Sequence, residues 1–290
     1  MALVTTAYKA GSRVARALPG PAADALGRSI GLGMAAGTSD RKRMIARHLQ
    51  RVHGGALSPK ALRREVQRAF DSYARYWVES FRLPEFSPED LDAGMTYEGL
   101  GHLEDALAAG NGAIAALPHL GAWDFGGAWL ATQGYKITVV VEPLEPPELF
   151  EWFADFRRSL GMDIVPLGPA AGSAVLQALR RNEVVGLLSD RDIQGGGVEV
   201  EFFGERTTLP AGPATLALRT GAPILPMAMY YEGRIHRGVV RPPLPVEREG
   251  KLRDDVARIT QALAHELEAL IRHAPEQWHL MQPNWPSDRQ

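Results

Sequence analysis

Gly112-Ala-Ile-Ala-Ala-Leu-Pro-His119-Leu-Gly-Ala-Trp-Asp124 is the stretch on which the reading of this chain turns. Its apolar run is too short for a helix and is closed by a proline, which describes a buried strand ending at Pro118. After Gly121 a helix begins. Strand, turn and helix in this order make an α/β unit, and ligands of open α/β sheets bind outside the carboxyl ends of the strands. His119 therefore stands where chemistry is expected.

The same rhythm continues outward. Short apolar runs at 95–97, 113–117, 137–141, 162–165, 184–188, 198–202, 224–231 and 235–240 read as strands. Helices are expected at 99–109, 123–133, 147–160, 171–181, 211–220 and 252–273. The alternation predicts an α/β fold around a mostly parallel sheet, and Glu232-Gly233 between the last two strands predicts a hairpin that makes the sheet mixed. Residues 1–83 read differently. Val66, Phe70, Tyr73, Trp77 and Phe81 recur at spacings of three and four, one face of a helix that Pro59 opens and Pro84 ends. The expected division is a helical, membrane-associating region at 1–83 and one integrated α/β core at 84–290.

Charge separates these two parts. Residues 1–83 hold 15 Lys/Arg against 5 Asp/Glu, a net of +10, and the remainder nets −12. Such asymmetry points to an anionic partner for the basic end, although a solvated basic helix pair has the same composition. No stretch reaches the ~18 uninterrupted apolar residues of a membrane span. Residues 1–37 mix Ala, Gly and Leu with Lys9, Arg13, Arg16 and Arg28, a pattern of lying on a membrane surface rather than of a cleaved secretory leader. The chain has no cysteine, which excludes disulfides, thiolate metal sites and a cysteine nucleophile.

His119 and Asp124 are five positions apart, with one helical turn between them. A carboxylate at imidazole Nδ1 fixes the tautomer that lets Nε2 accept a proton, so the two form the expected catalytic pair. The spacing alone is weak evidence. Eight histidines and 34 acidic residues in 290 give about one such match by chance. Other strand ends add weight. Asp190, Arg191 and Asp192 follow the apolar run 184–188; a surface salt-bridge turn is the plainer alternative. Pro210-Ala-Gly212-Pro213 opens a helix whose free N–H groups suit an anion, or is simply a proline-started helix. His279 is assigned either to the site or to packing. The other histidines show no ligand spacing, so no metal is expected.

Taken together, several blocks resemble the glycerolipid acyltransferase superfamily and, more narrowly, the actinobacterial phosphatidylinositol mannoside acyltransferases and the more distant lipid A late acyltransferases. These are Ser72-Tyr-Ala-Arg-Tyr-Trp77, Leu-Pro-His119-x4-Asp124, Val140-Val-Glu142, Phe202-Phe-Gly-Glu205 with Leu209-Pro-Ala-Gly-Pro213, and Gln277-Trp-His-Leu-Met-Gln-Pro-Asn-Trp285. The resemblance covers nearly the whole chain. It implies transfer of a long acyl group, commonly palmitoyl, from coenzyme A to a mannose hydroxyl of a mannosylated phosphatidylinositol. No further cofactor is implied. His119 would be the general base, supported by Asp124. Glu142, Asp190 and Arg191 would bind the acceptor, and His279, Gly212 and Pro213 would support the site. The family often carries Glu at the Asp190 position, so this chain reaches about one methylene less there. The implied location is the cytoplasmic face of the cell membrane, on an anionic leaflet, with no nucleic-acid partner. Two other readings share the scaffold: another acceptor, such as a lysophospholipid or a lipid A-like glycolipid, or a non-catalytic lipid-binding protein. The chain lacks the Pro-Glu-Gly-Thr block of glycerophosphate acyltransferases and the Gly-x-Ser-x-Gly elbow of serine hydrolases.

Overall fold

A computed structural model describes residues 2–289 of the chain. Helices α1 (Ala2–Ala17), α2 (Gly20–Gly37), α3 (Ser39–Val52) and α4 (Pro59–Arg82) come first. Ser58 caps α4 by accepting from the Ala61 N–H at 3.3 Å, and Pro59 occupies a first-turn position that needs no donor. Val66, Phe70 and Phe81 of α4 are buried, with Tyr73 and Trp77 partly so. The small residues Ala23, Gly27, Gly31 and Ala35 of α2 are buried too. A Cβ on Gly31 would lie 2.9 Å from the Asp71 Cα, so only glycine permits this approach of α2 to α4.

The core follows as α5 (Pro88–Ala93), β1 (Met95–Glu98), α6 (Leu100–Ala108), β2 (Ala113–Leu117), α7 (Trp123–Thr132), β3 (Ile137–Val141), α8 (Pro147–Ser159), β4 (Met162–Pro166), α9 (Ala171–Arg180) and β5 (Val184–Leu188). Then come β6 (Val198–Phe202), β7 (Glu205–Leu209), α10 (Gly212–Thr220), β8 (Ile224–Glu232), β9 (Ile235–Val240) and α11 (Leu252–His273). Seven strands form a sheet in the order β1-β9-β8-β2-β5-β3-β4. From β8 to β4 all neighbours are parallel; β9 turns back antiparallel to β8 through the expected hairpin and β1 pairs parallel with β9. The mixed, mostly parallel sheet is thus the one read from the sequence.

One strand expected alongside the others is elsewhere. β6 forms a separate antiparallel ribbon with β7, joined at Phe203 and Gly204, both at positive φ (52° and 76°). That two-residue turn matches the strand twist but carries a phenylalanine where Asn or Gly is the usual marker. The sheet buries both faces, as parallel sheets do. On one, Ile114, Val185 and Ile224 meet Leu179, Ala217 and Ile271 of the helices α9, α10 and α11. On the other, Ala115, Ile137 and Met162 lie with Leu103 of α6 and Leu130 of α7.

Candidate active site

The turn after β2 is held from both sides. His119 O accepts from the His279 N–H at 2.7 Å, Gly121 N–H donates to Gln277 O at 2.9 Å, and Ala122 N–H donates to Met229 O at 3.2 Å. Gly121 sits at φ +60°, and a Cβ there would collide with the Met229 carbonyl oxygen. Glycine is required at this position.

The register explains which side chains meet. β2 and β5 are neighbours with Leu117 opposite Leu188. Two residues beyond each strand end stand His119 and Asp190. His119 Nδ1 lies 2.7 Å from Asp190 Oδ1, and the His119 backbone N–H donates to Oδ2 at 3.0 Å. Trp278 Nε1–H also donates to Oδ2, at 2.7 Å, and the Asn284 amide holds the Asp190 carbonyl at 3.0 Å. Asp190 is completely buried. Burial alone pushes its carboxyl pKa up, but the electrostatic interaction with the His119 ring and the hydrogen bonds from His119 and Trp278 outweigh this and leave it below the ordinary value. An ionised carboxylate only accepts, so the Nδ1 facing it carries the proton. Nε2 then has a free lone pair, on a side chain that is 22% exposed. This is the tautomer of a general base.

Two expectations are revised by these contacts. The carboxylate at His119 Nδ1 is Asp190, not Asp124. Asp190, expected to bind an acceptor, has both oxygens spent behind the imidazole. Asp124, also buried, instead receives Arg157 in a two-pronged pair (Nε 2.8 Å, Nη2 3.1 Å) and the Tyr76 hydroxyl at 2.7 Å. Burial and the Asp124 charge drive the Tyr76 pKa well up, so it stays a donor. Burial works against the Arg157 charge, but Asp124 overcomes it and the guanidinium pKa rises.

His279 is buried beside this group. Its Nε2 is 2.9 Å from Ser72 Oγ, and its Nδ1 has no hydrogen-bond partner. Burial, and then His119, push its pKa down to about 3, so the ring is neutral. The Trp123 ring stacks on Tyr76 at 4.1 Å and lies 5.8 Å from His119. Glu142 is exposed just past β3, the neighbour of β5, and Arg191 is half-buried just past Asp190. Neither has an ion pair or hydrogen bond among the described residues, so both are unspent charges at the carboxyl end of the sheet that carries His119. Gly212 and Pro213 open α10, whose first residue has no side-chain cap, and no hydrogen bond joins them to His119. Arg157, Tyr76, Trp278 and Asn284 were not singled out from the sequence. Tyr76, Trp278 and Asn284 fall inside the quoted blocks; Arg157, beside the ordinary surface Arg158, has no signal of its own.

An apolar cavity runs between α7 and the sheet, with about 1000 Å³ of space including solvent at its mouth. Leu117 and Leu188, the last strand residues before His119 and Asp190, line it, as do Trp123 and the Asp124–Arg157 pair. Ala115 and Gly186, opposite each other on β2 and β5, keep its floor low.

The comparisons with known proteins point the same way. Residues 2–287 match the family described as bacterial lipid A biosynthesis acyltransferase. The chain belongs to this acyltransferase family. A phosphatidylinositol mannoside acyltransferase of Mycobacterium tuberculosis is 42% identical over 264 residues, 84% of this chain and 81% of that one. One of the same name from Mycolicibacterium smegmatis is 39% identical over 288 residues, covering 97% of this chain and 91% of the relative. A lipid A biosynthesis acyltransferase of Haemophilus influenzae is 28% identical over 194 residues, 66% of this chain and 59% of its own.

Proposed function

We propose that this acyltransferase moves a long acyl group from coenzyme A to a mannose hydroxyl of a mannosylated phosphatidylinositol. The observation that carries the chemistry is a histidine with one nitrogen held by a buried ionised aspartate and the other free at the head of an apolar cavity. The acyl chain lies in the cavity and leaves its thioester carbonyl beside His119. As the sugar oxygen attacks that carbonyl, Nε2 takes its proton; as the tetrahedral intermediate collapses, the same proton goes to the departing thiolate. Coenzyme A leaves as the thiol and the acyl group ends as an ester. No acyl-enzyme forms. General-base catalysis of this kind is worth roughly 10²–10⁴-fold.

Asp190 keeps the tautomer and balances the transient imidazolium. Asp124 has a different task, holding Arg157 at the cavity wall, where a fixed cation favours the negative charge that develops on the carbonyl oxygen. Glu142 and Arg191 meet the polar acceptor. The narrow choice of acceptor rests on the two mycobacterial relatives, which cover most of this chain.

The acceptor is a lipid, and the helical region suits that. Val4, Val14, Ile30 and Leu32 of α1 and α2 are exposed, at 39–60%, among exposed Lys9, Arg13 and Arg28. No helix among the described residues is long and apolar enough to cross a membrane. Apolar side chains with basic neighbours suit the surface of an anionic leaflet, where each Lys or Arg adds roughly 1 kcal/mol; the protein then works from the cytoplasmic face. Incubation with palmitoyl-CoA and a panel of mannosylated and simple phospholipids, read by mass spectrometry, tests the assignment. Acylation of the mannosylated lipid is expected. Product on non-mannosylated lipids alone would overturn the acceptor and leave acyl transfer standing.

A further inference from the structure

The far end of the cavity lies at the edge of the sheet. Gly238 of β9 is flanked by Met229 of β8 and Tyr97 of β1. With no side chain at 238, the room above it is taken by the tip of Met95: a Cβ built on Gly238 would lie 2.6 Å from Met95 Cε. Both Met95 and Gly238 line the cavity. Met95 is half-buried, whereas Tyr97, two residues further along this last strand, is 57% exposed. Tyr97 lines the cavity as well, its ring 5.3 Å from that of Trp129, so a chain threaded toward this edge meets Met95 and then this exposed ring.

The sheet sets the path from the thioester to this edge. From β2, whose end carries His119, to β1 it spans three strand spacings, roughly 14 Å. The stretch between is kept open by Ala115 of β2 and by Gly126 on the overlying α7.

We propose that Met95, seated over Gly238, is the stop that sets the length of the acyl group this enzyme accepts. The proposal rests on the acyl-CoA reading above. A chain that fits fills the cavity up to the thioether. Each methylene beyond must displace Met95 or emerge beside Tyr97 into water, and so forfeits the factor of about four that burying a methylene contributes. Methionine is unbranched and flexible, so the limit is graded rather than absolute.

The test is the profile of kcat/KM for saturated acyl-CoA donors from dodecanoyl to eicosanoyl, in the wild type, Met95→Ala and Met162→Ala. Met162 of β4 lines the opposite end of the cavity and serves as the counter-variant. Met95→Ala is expected to move the optimum about two carbons longer, changing the ratio of the longer to the original donor about fifteenfold. Met162→Ala is expected to leave the optimum in place. The melting temperature with each donor should show the same ordering, which reports occupancy of the cavity without turnover. An unchanged profile in an active Met95→Ala protein, or a shift in Met162→Ala instead, overturns the stop and leaves the donor assignment intact. If no acyl-CoA is turned over or raises the melting temperature of any of the three proteins, the donor reading falls and the stop falls with it.

Discussion

His119 and His48 each hold a buried aspartate, Asp190 and Asp288, yet their second ring nitrogens have opposite surroundings. His48 Nε2 is 3.2 Å from Asp288 Oδ2, and its Nδ1 is 3.0 Å from the Leu280 carbonyl. Both nitrogens face acceptors and the ring is 2% exposed, so nothing else can reach it. Asp288 is also held by the backbone N–H groups of Asn284 and Trp285 and by Arg51, and its carboxyl lies well below its ordinary pKa. This cluster fastens α3 to the segment at 280–288. His236 resembles it, bonded to Gly94 O and Glu79. The same two residue types therefore make a clasp where both ring nitrogens are committed, and leave one nitrogen free beside a cavity at His119. A histidine–carboxylate contact does not by itself mark a candidate site; the free nitrogen and the cavity set His119 apart from the clasp.

The largest effect expected from this contrast is at His119. His119→Ala should lower kcat by at least roughly 10³-fold with an unchanged circular dichroism spectrum, whereas the same change at His48 should leave the turnover of correctly folded molecules within about tenfold of wild type. Turnover that survived at His119 would dissolve the distinction. Asp190→Asn comes next. The amide can donate, so it no longer dictates which His119 nitrogen bears the proton, and kcat should fall roughly 10²–10⁴-fold with little change in KM. Asp124→Asn is the informative control, since Asp124 touches Arg157 and Tyr76 rather than the imidazole. If its pH–rate profile lost the histidine limb and that of Asp190→Asn kept it, Asp124 would be the partner after all.

The clasp should answer in stability. Removing the His48 ring leaves the Leu280 carbonyl and one Asp288 oxygen short of a buried donor, at about 1–3 kcal/mol, so urea unfolding of His48→Ala should show a loss of that order. The smallest effect is in pH. His279 is held neutral in the fold, its pKa pushed down to about 3, and it takes a proton readily once unfolded. The unfolded state thus binds the extra proton between about pH 6.5 and pH 3, and stability falls as pH drops through that window. At pH 5.5 the loss relative to neutral pH is about 1.3 kcal/mol. His279→Gln should flatten this part of the stability curve; a parallel curve would mean that the slope comes from other groups.

Much of this fold was open to a reading of the sequence, and the reasons are local. The β2 strand, the turn and α7 are written in consecutive residues: five apolar positions, a proline, a glycine, then helix. The ribbon strand β7 was not, because its turn uses Phe203 in a left-handed conformation that favours glycine and asparagine. The site was half legible. His119 and Asp190 were both recognised at strand ends, but sequence does not say that β2 and β5 are neighbours, and only that adjacency sets 119 against 190. Asp124 seemed the natural partner since it was close along the chain. Sequence distance gave way here to sheet register. Arg157 escaped notice because its partner lies 33 residues away on another helix, and nothing in an amphipathic helix distinguishes an arginine that turns inward.

The grip of Trp278 and Asn284 on Asp190 has a consequence for how the protein comes into being. During synthesis the strands that carry His119 and Asp190 leave the ribosome well before residues 278–284. Until those residues arrive, the Asp190 carboxylate lacks the indole N–H that helps to anchor it, and the turn at His119 lacks its bond to His279. The turn at His119 and the Asp190 carboxylate therefore reach their final geometry only when residues 278–284 dock, so the part of the chain made last completes the candidate site.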